Sequence, residues 1–172
     1  SFAPKQDFST GAPGAGPFSV ALSDVDKDGK VDLAVANYLS NQASVLLNTS
    51  SGLGNISFAA RIDFPTGAGA GPYSIAVGDI DLDGKDDLVT SNANNNSVSV
   101  FRNTSSGVGN ISYAARVNFS TGTVPRSVSI ADLDGDGKPD LAVTAESPDI
   151  VSIFRNISSA GSISFAARQD FV

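Results

Sequence analysis

Three short loops hold most of the chemistry this sequence offers. They read DVDKDGKVD from Asp24, DIDLDGKDD from Asp79 and DLDGDGKPD from Asp132. Each places aspartate at positions 1, 3, 5 and 9, glycine at 6 and lysine at 7. The three sets are Asp24, Asp26, Asp28 and Asp32; Asp79, Asp81, Asp83 and Asp87; and Asp132, Asp134, Asp136 and Asp140. These positions take twelve of the eighteen acidic residues. Alternate carboxylates on a tightly curled loop can converge on one point, where they repel unless a cation sits between them. Gly29, Gly84 and Gly137 permit the sharp turn, and the main-chain carbonyl of Lys30, Lys85 or Lys138 can add a further oxygen. An all-oxygen, carboxylate-rich cage suits Ca²⁺, which takes 6–8 oxygens; Mg²⁺ prefers a smaller octahedral site and keeps more water. Three Ca²⁺ ions, one per loop, would bring the formal charge from −7 to about −1. The pattern departs from an EF-hand, whose loop needs a glutamate at position 12 and flanking helices. Position 12 here is Val35, Thr90 or Val143.

The loops belong to repeats. FSVALSDVDKDGKVDLAVAN from Phe18 recurs as YSIAVGDIDLDGKDDLVTSN from Tyr73 and as RSVSIADLDGDGKPDLAVTA from Arg126. The first aspartates are 55 and then 53 residues apart. The downstream halves, NTSSGLGNISFAARIDF, NTSSGVGNISYAARVNF and NISSAGSISFAARQDF, match as well. Each repeat reads as four short strands. In the first, small Ser19, Ala21 and Ser23 alternate with Val20 and Leu22, the period-2 pattern of a strand with one crowded face. The second covers Leu33–Asn37, Leu88–Asn92 and Leu141–Ala145; ASVLLN, SVSVFRN and IVSIFRN make the third, and segments such as ISFAARIDF the fourth. No stretch carries a helical apolar period. A four-stranded unit of about 50 residues is one blade of a β-propeller. The expected architecture is all-β, with blades over 18–64, 73–119 and 126–171 and an extra outer strand at 1–8, where SFAPKQDF aligns with SFAARQDF at 164–171. Propellers close with about 4–8 blades, so three blades imply a partial propeller or one completed by self-association, two chains giving six blades.

Repeats of the form SVAxxDxDxDGxxDLxV followed by SVxxxxN resemble the FG-GAP (VCBS-type) repeats of bacterial extracellular proteins, and are similar to the calcium-bearing blades of integrin α-subunit propellers. The namesake elements are closest in FSTGAP at 8–13, with FPTGAG at 64–69 and FSTGTV at 119–124. The resemblance covers essentially the whole chain. It implies Ca²⁺ in the loop between the first two strands of each blade, and a partner bound on the opposite face. That face collects the most divergent turns, YLSNQ, NANNNS and ESPD, whose candidate contacts are Tyr38, Asn94, Asn95, Glu146 and Asp149.

Composition narrows the rest. The chain has no His and no Cys. It therefore has no imidazole base, no thiol nucleophile, no disulfide and no thiolate zinc site. Outside the loop quartets only Asp7, Asp63, Asp86, Glu146, Asp149 and Asp170 remain as acids, so no enzyme is expected. An acidic chain without a basic stripe argues against nucleic acid and anionic membranes, and no apolar run is long enough to span a bilayer. With no initiator Met and no apolar leader, the chain is expected to be a mature or excised piece. Arg61, Arg116 and Arg168 recur on the fourth strand and are assigned to packing. Asn-x-Ser/Thr sequons at Asn48, Asn55, Asn95, Asn103, Asn110, Asn118 and Asn156 follow the repeat. The expected function is a secreted or surface, calcium-stabilised module for adhesion to a protein or glycan. The alternatives are an accessory propeller domain of an extracellular carbohydrate-active enzyme and a structural self-assembling fragment.

Overall fold

The computed structural model describes residues 4–172. They form three four-stranded antiparallel sheets, and each sheet keeps its strands in chain order. Blade 1 holds β1 (Pro17–Ser23), β2 (Asp32–Asn37), β3 (Gln42–Leu46) and β4 (Ile62–Pro65). Blade 2 holds β5 (Pro72–Gly78), β6 (Asp87–Asn92), β7 (Ser97–Phe101) and β8 (Val117–Ser120). Blade 3 holds β9 (Thr123–Ala131), β10 (Asp140–Ser147), β11 (Ile150–Phe154) and β12 (Gln169–Phe171). The register repeats with the sequence: Ser23 pairs with Asp32, Gly78 with Asp87 and Ala131 with Asp140. Each aspartate loop is therefore the turn that joins a first strand to a second.

The fourth strands are shorter than their sequence segments. β4 begins at Ile62, and the upstream part of its segment touches β3's extension through a single Asn48–Phe58 bridge. The register slips by one residue between ladder and bridge: Val45 pairs with Ile62, whereas Asn48 pairs with Phe58. The same slip separates Val100–Val117 from Asn103–Tyr113 and Ile153–Gln169 from Asn156–Phe165. The third strand's extension is also tied to the loops: the Asn48 amide donates to Asp32 Oδ1 at 2.8 Å, and those of Asn103 and Asn156 donate to Asp87 and Asp140, each at 2.7 Å. At the amino terminus, residues 4–8 carry no ladder, and residues 1–3 of the expected outer strand lie outside the described residues. Pro4 has no amide to donate, and no third strand stands beside this segment. Phe8 instead packs edge-on against Phe58, with ring centroids 5.0 Å apart.

The core lies between blades. One cluster joins Ala34, Ala36, Ala43 and Val45 of blade 1 to Ile75 and Leu88 of blade 2. A second joins Val89, Val98 and Val100 of blade 2 to Val128, Leu141 and Val143 of blade 3. Alternation on the first strand explains this stacking. Val77 packs backward onto the first cluster and Ala76 packs forward against the second. Small residues on the forward side let the next blade approach closely: a Cβ on Gly78 would meet Ile130 Cγ2 at 3.3 Å. Phe64 on Tyr113 and Phe119 on Phe165, both at 4.9 Å and edge-on, close the outer rim of the two junctions. Leu88 is fully buried between blades 1 and 2. Leu88→Ala should lower the unfolding free energy by about 2–5 kcal/mol in urea titration, and a loss under about 1 kcal/mol would contradict this placement of the core.

Candidate metal centres and the opposite face

Backbone geometry curls the aspartate loops. Position 6 is left-handed in all three, with φ of 87°, 86° and 86° at Gly29, Gly84 and Gly137, a conformation that glycine adopts without strain. Position 4 is also left-handed, at Lys27, Leu82 and Gly135. The curled amides then point inward. Asp24 accepts from the amides of Asp28 (3.0 Å) and Gly29 (2.9 Å), and Asp79 accepts the same pair from Asp83 and Gly84.

Three of the four aspartates gather in each loop, and the fourth stands apart. In the first two loops positions 1, 3 and 9 gather: Asp24, Asp26 and Asp32, and Asp79, Asp81 and Asp87, each set offering oxygens within 4.8 Å of one another. In the third loop positions 1, 3 and 5 gather instead, Asp132, Asp134 and Asp136. Gly135 accounts for part of the difference. Its amide takes Asp132 Oδ1 at 2.8 Å, the oxygen that the position-5 amide holds in the other loops. Asp28 turns to Lys30, whose Nζ lies 2.9 Å from Oδ2, and that cation holds the Asp28 carboxyl below its ordinary range. Asp83 faces Arg102 at 3.8 Å. Asp140 stands outside the third cluster.

Position 9 does more than the sequence reading assigned to it. Its two oxygens accept separate amides in every blade: Val25 and Asn48 on Asp32, Ile80 and Asn103 on Asp87, Leu133 and Asn156 on Asp140. This residue pins the loop to the end of the third strand. Each oxygen still has a lone pair for a cation. Asp87 is wholly buried, and burial pushes its carboxyl up to about 7 despite the two amides; neighbouring Asp81 and Asp83 add to the rise. Burial likewise raises Asp32.

Position 3 reaches across the blade boundary. Asp26 Oδ2 accepts the amide of Gly109, and Asp81 Oδ2 that of Gly161, both at 2.7 Å. Beside these contacts, Asn103 Nδ2 donates to the Val25 carbonyl and Asn156 Nδ2 to the Ile80 carbonyl. Sequence reasoning missed both links, although the glycine and the asparagine recur in every repeat. The asparagines were read there as sequons; in the structure Asn103 and Asn156 are fully buried and their amide nitrogens are engaged.

Two unit charges 4.8 Å apart repel by roughly 3 kcal/mol at an effective dielectric of about 20. Three such pairs in one loop rival the whole stability of a typical domain, about 5–15 kcal/mol. Protons or a cation must therefore neutralise the two partly buried clusters. All-oxygen donor sets of three carboxylates fit a hard divalent cation.

The opposite face brings together more than the turns. Tyr38 OH donates to Asn94 Oδ1 at 3.0 Å, and the Tyr38 ring lies 5.0 Å from Phe18. Phe18 stacks on Tyr73 at 4.9 Å, and the Arg126 guanidinium sits 4.5 Å above Tyr73. Arg126 Nε donates to Glu146 at 2.7 Å, which lowers the Glu146 carboxyl and raises the guanidinium. Tyr38, Asn94 and Glu146 therefore join one strip. Asn95 and Asp149 stay in their own turns, where their amides bond to Asn92 and Glu146 carbonyls. Phe18, Tyr73 and Arg126 were absent from the sequence-based candidates. They occupy one repeat position, the start of the first strand, which brings them side by side near the crowded inner edge. The fourth-strand arginines serve packing: Arg116 and Arg168 donate to the Pro65 and Ser120 carbonyls of the preceding blade, and Arg61 pairs with Asp63.

Comparison with known families agrees with this architecture. The FG-GAP-like repeat profile matches residues 24–90 and 83–143, and the FG-GAP repeat profile matches residues 124–165. The chain belongs to the FG-GAP repeat family, and its three sheets are propeller-type blades. A search of curated proteins finds no match.

The raised Asp87 carboxyl has a pH signature. In metal-free protein the fold favours the protonated form, while the unfolded chain ionises near 3.8. Between about 4 and 7 the native state keeps a proton that the unfolded state has shed, so this residue's contribution to stability falls as pH rises through that window. Carboxyl NMR titration in EGTA should find Asp87 titrating near 7 and Asp28 below the ordinary aspartate range. Added Ca²⁺ should move Asp87 downward. A metal-free Asp87 titrating near 4 would contradict the burial argument.

Proposed function

We propose that this chain is a calcium-stabilised, non-catalytic propeller module, secreted or displayed at a cell surface, that binds an extracellular protein or glycan. The observation that carries the binding assignment is the strip of Phe18, Tyr38 and Tyr73 flanked by Arg126, Glu146 and Asn94 on the face away from the aspartate loops. Aromatic rings give large contact area with little ordering cost, and a few fixed polar groups orient what they touch. The half-exposed Phe18 ring is available for stacking on a sugar face or an apolar side chain.

The aspartate loops fit the structural half of this reading. Asp24, Asp26 and Asp32, then Asp79, Asp81 and Asp87, then Asp132, Asp134 and Asp136 would hold about three Ca²⁺ ions, one per blade. When bound, each ion supplies positive charge to a turn that joins two strands and, through position 3, borders the next blade. Ions bound by the native loops alone stabilise the fold by mass action. The extracellular placement rests on family resemblance, since FG-GAP repeats are typical of surface and secreted proteins.

The binding assignment can be checked on arrays of glycans and extracellular proteins in Ca²⁺ buffer. A ligand retained by the wild-type chain should lose about tenfold or more in affinity with Tyr38→Ala or Arg126→Ala, and little with Asn95→Ala or Asp149→Ala. Equal binding by all four variants would contradict the assignment of this strip.

A further inference from the structure

The two junctions between the three blades are built from one set of contacts, and blades 1 and 3 carry the counterparts of its two halves. At each internal junction three contacts recur in which the later blade donates and the earlier blade accepts. Gly109 and Gly161 donate to Asp26 and Asp81, Asn103 and Asn156 to the carbonyls of Val25 and Ile80, and Ile75 and Val128 amides to the hydroxyls of Ser19 and Ser74. In blade 1 the donor positions are Gly54, Asn48 and Val20; in blade 3 the acceptor positions are Asp134, Leu133 and Ser127. Asp26 and Asp81 are buried by this contact, whereas Asp134 is exposed.

The apolar surfaces correspond in the same way. Ile75 and Val128 are buried against the preceding blade, while their counterpart Val20 is 58% exposed and its neighbour Leu22 is 65% exposed. The forward face of blade 2 buries Ser91 and Val98 completely; the counterparts on blade 3, Thr144 and Val151, are exposed.

We propose that a second copy of this chain docks its blade 3 on blade 1, so that Gly54 of one copy completes the third aspartate loop of the other through Asp134. The contact is head-to-tail, and such contacts close into a ring when the rotation permits. Two copies of these three blades make six, a number within the usual 4–8. The predicted assembly is therefore a dimer with two identical junctions.

Phe8 acts as a placeholder in that scheme. It sits on Phe58 with the edge-on geometry that Phe64 and Phe119 use on the following blade. Phe171, at the matching position of blade 3, is 56% exposed. Docking of the second copy brings Phe171 to Phe58 and displaces Phe8. The amino-terminal segment thus competes with assembly.

Sedimentation velocity in saturating Ca²⁺ tests this directly. The expected mass is twice the 17.5 kDa of one chain at high concentration. Phe8→Ala should shift the monomer–dimer balance toward dimer, and Val20→Asp should return the chain to monomer with an unchanged circular dichroism spectrum. Because the chain has no Cys, a Val20→Cys chain mixed with a Thr144→Cys chain should cross-link on oxidation, and neither should cross-link alone. A 17.5 kDa species at all concentrations with Phe8→Ala would overturn the proposal. So would a dimer that survives Val20→Asp, or a Val20→Cys chain that cross-links to itself.

Discussion

Negative charge held at close quarters is the constraint around which this molecule is arranged. Each blade turns its first strand into its second by gathering three carboxylates within 4.8 Å. In the two partly buried loops their repulsion is comparable to the stability of a domain. That concentration of charge is also where the blade is tied together. Position 1 accepts the loop's own amides, position 9 captures the end of the third strand, and position 3 accepts an amide of the next blade in the first two loops. Neutralising one loop therefore acts on a strand turn, a sheet edge and a blade junction together.

Repetition converts this local device into an architecture. A blade has two apolar faces and cannot bury both within itself; stacking covers the forward face of one blade with the backward face of the next. The central blade shows the completed state, with Ile75 and Leu88 buried on one junction and Val89, Val98 and Val100 on the other. Blades 1 and 3 each show one face completed. The gradient from Asp26 and Asp81, buried, to Asp134, exposed, follows from the same fact.

Much of this was legible in the sequence because it is periodic. Three copies of the aspartate spacing fixed the loops, and period-2 alternation in SVAL and SIAV fixed the first strands and their small forward faces. Strand boundaries were less legible. The fourth segments look continuous in sequence, but each meets its third strand in two registers one residue apart, a slip that propensity does not encode. The switch from position 9 to position 5 in the third cluster accompanies a different loop hydrogen bond, made by Gly135, and no count of acids reveals it. The strip of Phe18, Tyr73 and Arg126 escaped notice because the residues differ in type; only their shared repeat position brings them into contact.

The central claim is that the loops need a cation to hold the blades in place. Calorimetric melting of the chain in EGTA and in millimolar Ca²⁺ at neutral pH addresses it most directly. The account predicts a rise in melting temperature of about 10 °C or more with Ca²⁺, since ligand in large excess over its dissociation constant adds a few kcal/mol per site. Asp81→Ala, which removes both a cluster member and the acceptor for Gly161, should lose a large part of that rise. An identical melting temperature with and without Ca²⁺ would contradict the account.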